Sequence, residues 1–158
     1  MKILVLGIGN TLLSDEGVGI HIVQTLLEAP GGPREGVEYL DGGTLSFTLA
    51  GPIQDADALI VVDAAQLNAA PGTLQTFVGE EMDSFLNANR KSSVHEVGLT
   101  DLRAIAILAG HWPERRAMLG VQPQKLDWGE QPTDPVAAAI PLACQQINAL
   151  IDGWQNGN

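Results

Sequence analysis

The sequence predicts an α/β protein, a single three-layer α/β/α sandwich built on a mostly parallel five-stranded sheet with one antiparallel strand. Three observations carry that expectation. Apolar runs with β-branched residues, Ile3-Leu4-Val5-Leu6 and Ala58-Leu59-Ile60-Val61-Val62, are closed by Gly7 and Asp63, the pattern of strands buried on both faces of a parallel sheet. Segments with helical spacing separate such runs, and the alternation stacks helices on both faces of one sheet. The strand-like run 73–78 is reached through only Asn68-Ala69-Ala70-Pro71-Gly72, too little chain for a crossover helix, so it should be antiparallel and near an edge.

In chain order, the first strand is followed by a helix expected over 16–28. Ser14 or Asp15 is available to cap it, and the rows Val18, Ile22, Leu26 and Ile20, Val23, Leu27 give it a broad apolar face. Pro30-Gly31-Gly32-Pro33 ends it. A second strand over 37–40 closes on Asp41-Gly42-Gly43-Thr44 and leads into a short helix over 44–50, and the third strand covers 58–63. A helix over 98–108 carries Leu99, Leu102, Ile105 and Leu108 and stops at Gly110, before a fifth strand over 117–121. After a polar loop over 122–131, Thr133-Asp134-Pro135 starts a last helix reaching 154, with Pro141 as its expected kink.

At 158 residues the chain is long enough for one sizeable core and is read as one domain over 1–158. Eight basic against 19 acidic residues, net charge -11, argue against nucleic acid as a partner, because phosphate-backbone affinity needs clustered Lys and Arg. One cysteine cannot form an internal disulfide, the N-terminal apolar run is too short for a signal peptide, and no run approaches the ~20 apolar residues of a membrane span. A cytoplasmic protein with no membrane contact is the expectation.

Glu16, Asp63 and His95 each stand beside a backbone signal that places them at the carboxyl edge of the sheet, where open α/β sheets bind ligands. Two carboxylates and an imidazole form a mixed O/N donor set that suits zinc or nickel better than magnesium or calcium. Taken singly, Glu16 fits ordinary first-turn helix chemistry as well as a ligand role, Asp63 fits a strand-end cap, and His95 fits a surface histidine. His21 falls within the first helix, as a packed or solvent-facing ring, and His111 in a loop after a helix. Asp41-Gly42-Gly43-Thr44 reads either as a plain turn with Thr44 as cap or as a carboxylate and bare backbone lining the crevice.

Gly7-Ile8-Gly9-Asn10-Thr11-Leu12 invites a dinucleotide reading, but Leu12 stands where the third glycine belongs, and Asp15 and Glu16 would repel a phosphate at the helix start. No Gly-x-Ser-x-Gly elbow is present, and Cys144 sits among Leu142, Ala143 and Ile147 as a small hydrophobe, so a covalent nucleophile is poorly supported.

Six local patterns then recur in one order: Gly7-x-Gly9-Asn10 with Asp15-Glu16-Gly17-x-Gly19, Asp41-Gly42-Gly43-Thr44, Asp63-Ala64, Pro71-Gly72-Thr73, His95-x-x-Gly98-Leu99 and Gly120-Val121-Gln122-Pro123. Across essentially the whole chain they resemble the nickel-iron hydrogenase maturation endopeptidases. The resemblance implies an endopeptidase that removes a short C-terminal extension from a nickel-loaded hydrogenase large-subunit precursor. It implies metal ligation by Glu16, Asp63 and His95, and Asp41 as a further carboxylate, so that Asp41, Asp63 and Glu16 form the catalytic set. The nickel would be carried by the substrate, although other divalent metals suit the same donors. The alternative is a nickel-binding maturation factor that holds the same precursor without cutting it.

Overall fold

The two apolar runs that open the argument form strands β1 (Ile3–Gly7) and β3 (Ala58–Ala64), and every residue of both is buried. In the computed structural model, which describes residues 1–43, 47–88, 99–108 and 110–157, they sit centrally in one five-stranded sheet. The other strands are β2 (Val37–Asp41), β4 (Leu74–Val78) and β5 (Arg115–Val121), and the order across the sheet is β2-β1-β3-β5-β4. β1 runs parallel to β2 and β3, β3 runs parallel to β5, and only β4 is antiparallel, at the edge beyond β5. The short connection before 73–78 thus has the expected consequence.

Alternation along the strands divides the core into two layers. Ile3, Val5, Ile60 and Val62 face α1 (Val18–Glu28) and α5 (Asp134–Gln155), meeting Ile22, Val23, Ile147 and Ile151. Leu4, Leu6, Leu59 and Val61 face the other way. They meet Ile53 of α2 (Ala50–Asp55), Met82 and Leu86 of α3 (Glu80–Ala88) and Ala106 of α4 (Leu99–Leu108). The result is the expected three-layer sandwich. No described helix is long and apolar enough to cross a membrane.

Several local expectations are corrected. The helix expected over 16–28 begins as a 3-10 turn, Ser14–Gly17, with α1 starting at Val18, and neither Ser14 nor Asp15 caps it because both side chains are engaged by a distant loop. The short helix expected over 44–50 is instead a 3-10 turn, Phe47–Leu49, followed by α2; Thr44 lies outside the described residues. α3 had no counterpart in the sequence reading. β5 starts at Arg115, two residues early, because Arg116 turns its guanidinium to the Asp83 carboxylate and so tolerates a strand position. Pro141 lies inside α5, which continues as helix on both sides of it.

Candidate active site

Because β1, β2 and β3 are parallel, their carboxyl ends reach the same edge, and the register sets Gly7 between Asp41 and Val62. The loops leaving this edge are joined by backbone bonds: Ile8 N–H donates to the Val62 carbonyl (3.0 Å), Gly42 N–H to Gly7 (2.8 Å) and Gly9 N–H to Gly43 (2.8 Å). Two glycines let the Glu16 turn close onto β3. A Cβ at Gly19 would stand 2.3 Å from the Val62 carbonyl oxygen, and one at Gly9, whose φ is +140°, would stand 2.0 Å from the Glu16 carbonyl oxygen. The close approach that glycine permits here is therefore to the protein's own backbone, not to a pyrophosphate.

Glu16 is 4% exposed and Asp63 1%, and both take part in interactions within the protein. Asp63 is in phase with Leu59 and Val61 and pairs in register with Gly120, so the strand alternation points it toward the layer that contains α4. His95 lies outside the described residues; α4 begins four residues after it in the chain, at Leu99. Asp41 is exposed, and its Oδ1 accepts the Gly43 N–H at 2.8 Å. With β1 between them, the Cα atoms of Asp41 and the end of β3 are separated by two strand spacings, roughly 10 Å. Asp41 is in phase with Val37 and Tyr39, which pack on the α1 and α5 side. Among the described residues no three His, Cys, Asp or Glu side chains gather as a metal cluster. The donors that are described, two carboxylates withdrawn from bulk water at one strand edge, have the charge and hardness that a divalent cation needs.

The residue whose role the sequence reading missed is Asp15. It is fully buried, and its Oδ2 accepts the Gln124 N–H (2.8 Å), the Lys125 N–H (2.9 Å) and the Thr133 hydroxyl (2.8 Å), while Oδ1 accepts the Thr133 N–H (2.7 Å). Burial pushes its pKa up, but these bonds from Lys125, Thr133 and Gln124 outweigh it and hold the carboxyl below its ordinary value. Thr133 therefore spends its hydroxyl on Asp15 and does not cap α5.

Ser14, beside it, adopts φ +53° and donates its hydroxyl to the Asp127 carbonyl at 2.7 Å, which leaves this buried serine structural rather than nucleophilic. Cys144 lies in α5, where its thiol approaches the Ile22 carbonyl and burial raises its pKa, the opposite of an activated nucleophile. His111 donates Nε2 to the Ala56 carbonyl at 2.7 Å, a structural contact. His21, half-buried in α1, has no partner for Nε2 among the described residues, and burial lowers its pKa. Leu12, Leu126 and Trp128 are exposed on the paired loops next to the Glu16 turn.

Residues 20–150 match the family model described as hydrogenase maturation protease. The chain is 42% identical over 140 residues to the hydrogenase expression/formation protein HoxM of Azotobacter vinelandii, which spans 88% of this chain and 67% of that protein. It is 37% identical over 152 residues to the hydrogenase 2 maturation protease of Escherichia coli strain K12, spanning 96% of this chain and 91% of that one. The solved structure of the hydrogenase maturating endopeptidase HybD from E. coli superposes with a TM-score of 0.84 at 35% identity, covering 99% of this chain and 94% of that one.

Proposed function

The chain belongs to the hydrogenase maturation protease family and is an endopeptidase, and from that premise we propose that it removes the C-terminal extension of a nickel-iron hydrogenase large-subunit precursor after nickel has been inserted. The observation that carries the reading is the burial of Glu16 and Asp63 at one carboxyl edge, the turn bearing the first packed on the strand bearing the second. Two carboxylates brought together at one edge offer oxygen donors to a divalent cation. On this reading the cation arrives with the precursor, and the nickel is a recognition element and part of the substrate.

On this reading Glu16, Asp63 and His95 engage the precursor's nickel, and the scissile peptide lies along the edge past Gly42 and Gly43 toward Asp41. Hydrolysis by water agrees with Ser14 and Cys144 being tied up elsewhere. A carboxylate at this edge takes the proton of the attacking water while its oxygen adds to the peptide carbonyl, and the proton then passes to the departing amine as the C–N bond breaks. Membership of a protease family favours cutting over the alternative of a factor that only holds the precursor.

The test is cleavage of nickel-loaded precursor by purified protein and by Glu16→Gln, Asp63→Asn and His95→Gln. Glu16→Gln and Asp63→Asn keep shape but remove charge and His95→Gln removes the imidazole donor, so these variants should fold and lose cleavage by at least 10-fold to 100-fold, the scale of a lost ligand or ligand support. Wild-type rates from the folded variants would reject the assignment.

A further inference from the structure

We propose that Asp15 is a positioning residue, which fixes where Glu16 stands by locking the 124–133 loop onto the turn that carries both. The inference rests on the reading of Glu16 as a ligand of the precursor's nickel. None of the four hydrogen bonds to the Asp15 carboxylate comes from Glu16; all four come from Gln124, Lys125 and Thr133. Its own N–H donates to the Lys125 carbonyl (3.1 Å), so the residue holds that loop from both backbone and side chain.

The neighbouring bonds extend the lock. Gly129 N–H donates to Leu12 (2.9 Å), Ser14 N–H donates to Gly129 (2.8 Å), and the Ser14 hydroxyl reaches Asp127 (2.7 Å). These contacts hold Ser14 at φ +53°, a backbone state that a serine adopts only when its surroundings impose it. Glu16 follows two residues later, its N–H bonded to Leu13 within the same turn. The turn's shape, and so the direction of the Glu16 carboxylate, depends on a loop that approaches from more than a hundred residues away in the chain. A ligand fixed before the metal arrives loses less freedom on binding, which is the general effect of outer-sphere support on metal affinity.

Asp15→Asn tests this sharply. In either orientation the amide presents an NH2 group to at least one backbone N–H that the carboxylate accepted, so the lock is broken at constant volume. Full-length, metal-free protein is titrated with Ni2+ alone by calorimetry, with circular dichroism and melting followed in parallel. Asp15→Asn is expected to bind Ni2+ about 10-fold to 100-fold more weakly, and Thr133→Val, which removes one donor, a few-fold more weakly; Thr133→Ser, which restores the hydroxyl, should match wild type. If Asp15→Asn fails to fold, the Thr133→Val and Thr133→Ser pair decides by the same comparison. Wild-type Ni2+ affinity in folded Asp15→Asn or Thr133→Val, with only the melting temperature lowered, makes Asp15 a structural staple and overturns the inference. Glu16→Gln separates the two levels. Weakened binding there with normal binding in Asp15→Asn rejects positioning alone, whereas normal binding in Glu16→Gln rejects the ligand reading and this inference with it.

Discussion

Asp15 is a buried carboxylate whose behaviour is set by the donors that reach it. Asp15 is surrounded by N–H and O–H groups that favour its ionised form over the protonated one. Its lowered pKa has a fixed thermodynamic sign. The stability it contributes is fully present above the ordinary value of 3.8 and is lost as pH falls through the lower folded value. Denaturant unfolding of wild type and Asp15→Asn should therefore differ most near pH 6, and the gap should narrow as pH drops below about 4; a gap constant down to pH 3 would contradict this. At this scale the placement of Glu16 and Asp63 at the carboxyl edge was legible because each adjoins a local signal, a helix start or the end of an apolar run. Asp15's function was not, because its partners lie 109 to 118 positions away and no local pattern announces them. Gly9 invited a reading as a site of close approach to a pyrophosphate, whereas the fold brings the Glu16 backbone to it, and the contact of Gly19 with Val62 is visible only in the fold.

Among elements, buried strands were the most legible because continuous apolar runs have few alternatives at that length. β5 was clipped because Arg115 and Arg116 are not apolar, and its first turn of pairing is held by side-chain partners rather than by burial. α3 was missed for a related reason: only Met82 and Leu86 are buried along it, too narrow a stripe to stand out, although Glu80, Glu81 and Asp83 in its first turn are a favourable match to the helix dipole. Asp83 is also what ties α3 to the sheet. Its carboxylate pairs with the Arg116 guanidinium at 2.6 Å and accepts the Trp112 indole N–H at 3.2 Å, with both ionic side chains mostly buried. Asp83→Ala should destabilise the protein by about 3 kcal/mol, the low end for breaking a buried pair, since Arg116 keeps the Pro113 and Glu114 carbonyls as acceptors. Chemical denaturation measures it, and a change below about 0.5 kcal/mol would show the pair to be a surface ornament.

Across the whole molecule, the parallel strands deliver the ends of β1, β2 and β3 to one edge, which on the proposed reading is where a hydrogenase precursor is cut. The net charge of -11 adds little to that recognition, since charge remote from the site is screened over ~8 Å at physiological salt. Positioning matters more. Holding a reacting group in place is worth roughly 7 to 11 kcal/mol in favourable cases, so an anchor of metal on carboxylate should govern the rate by orders of magnitude. The most direct measurement is cleavage of nickel-loaded and nickel-free precursor side by side, at equal concentration, by the same purified protein. If Glu16, Asp63 and His95 read the precursor's nickel, the nickel-free form is cut at least a hundred-fold more slowly; equal rates for the two forms would mean that the polypeptide alone is recognised, and would contradict the nickel-reading site.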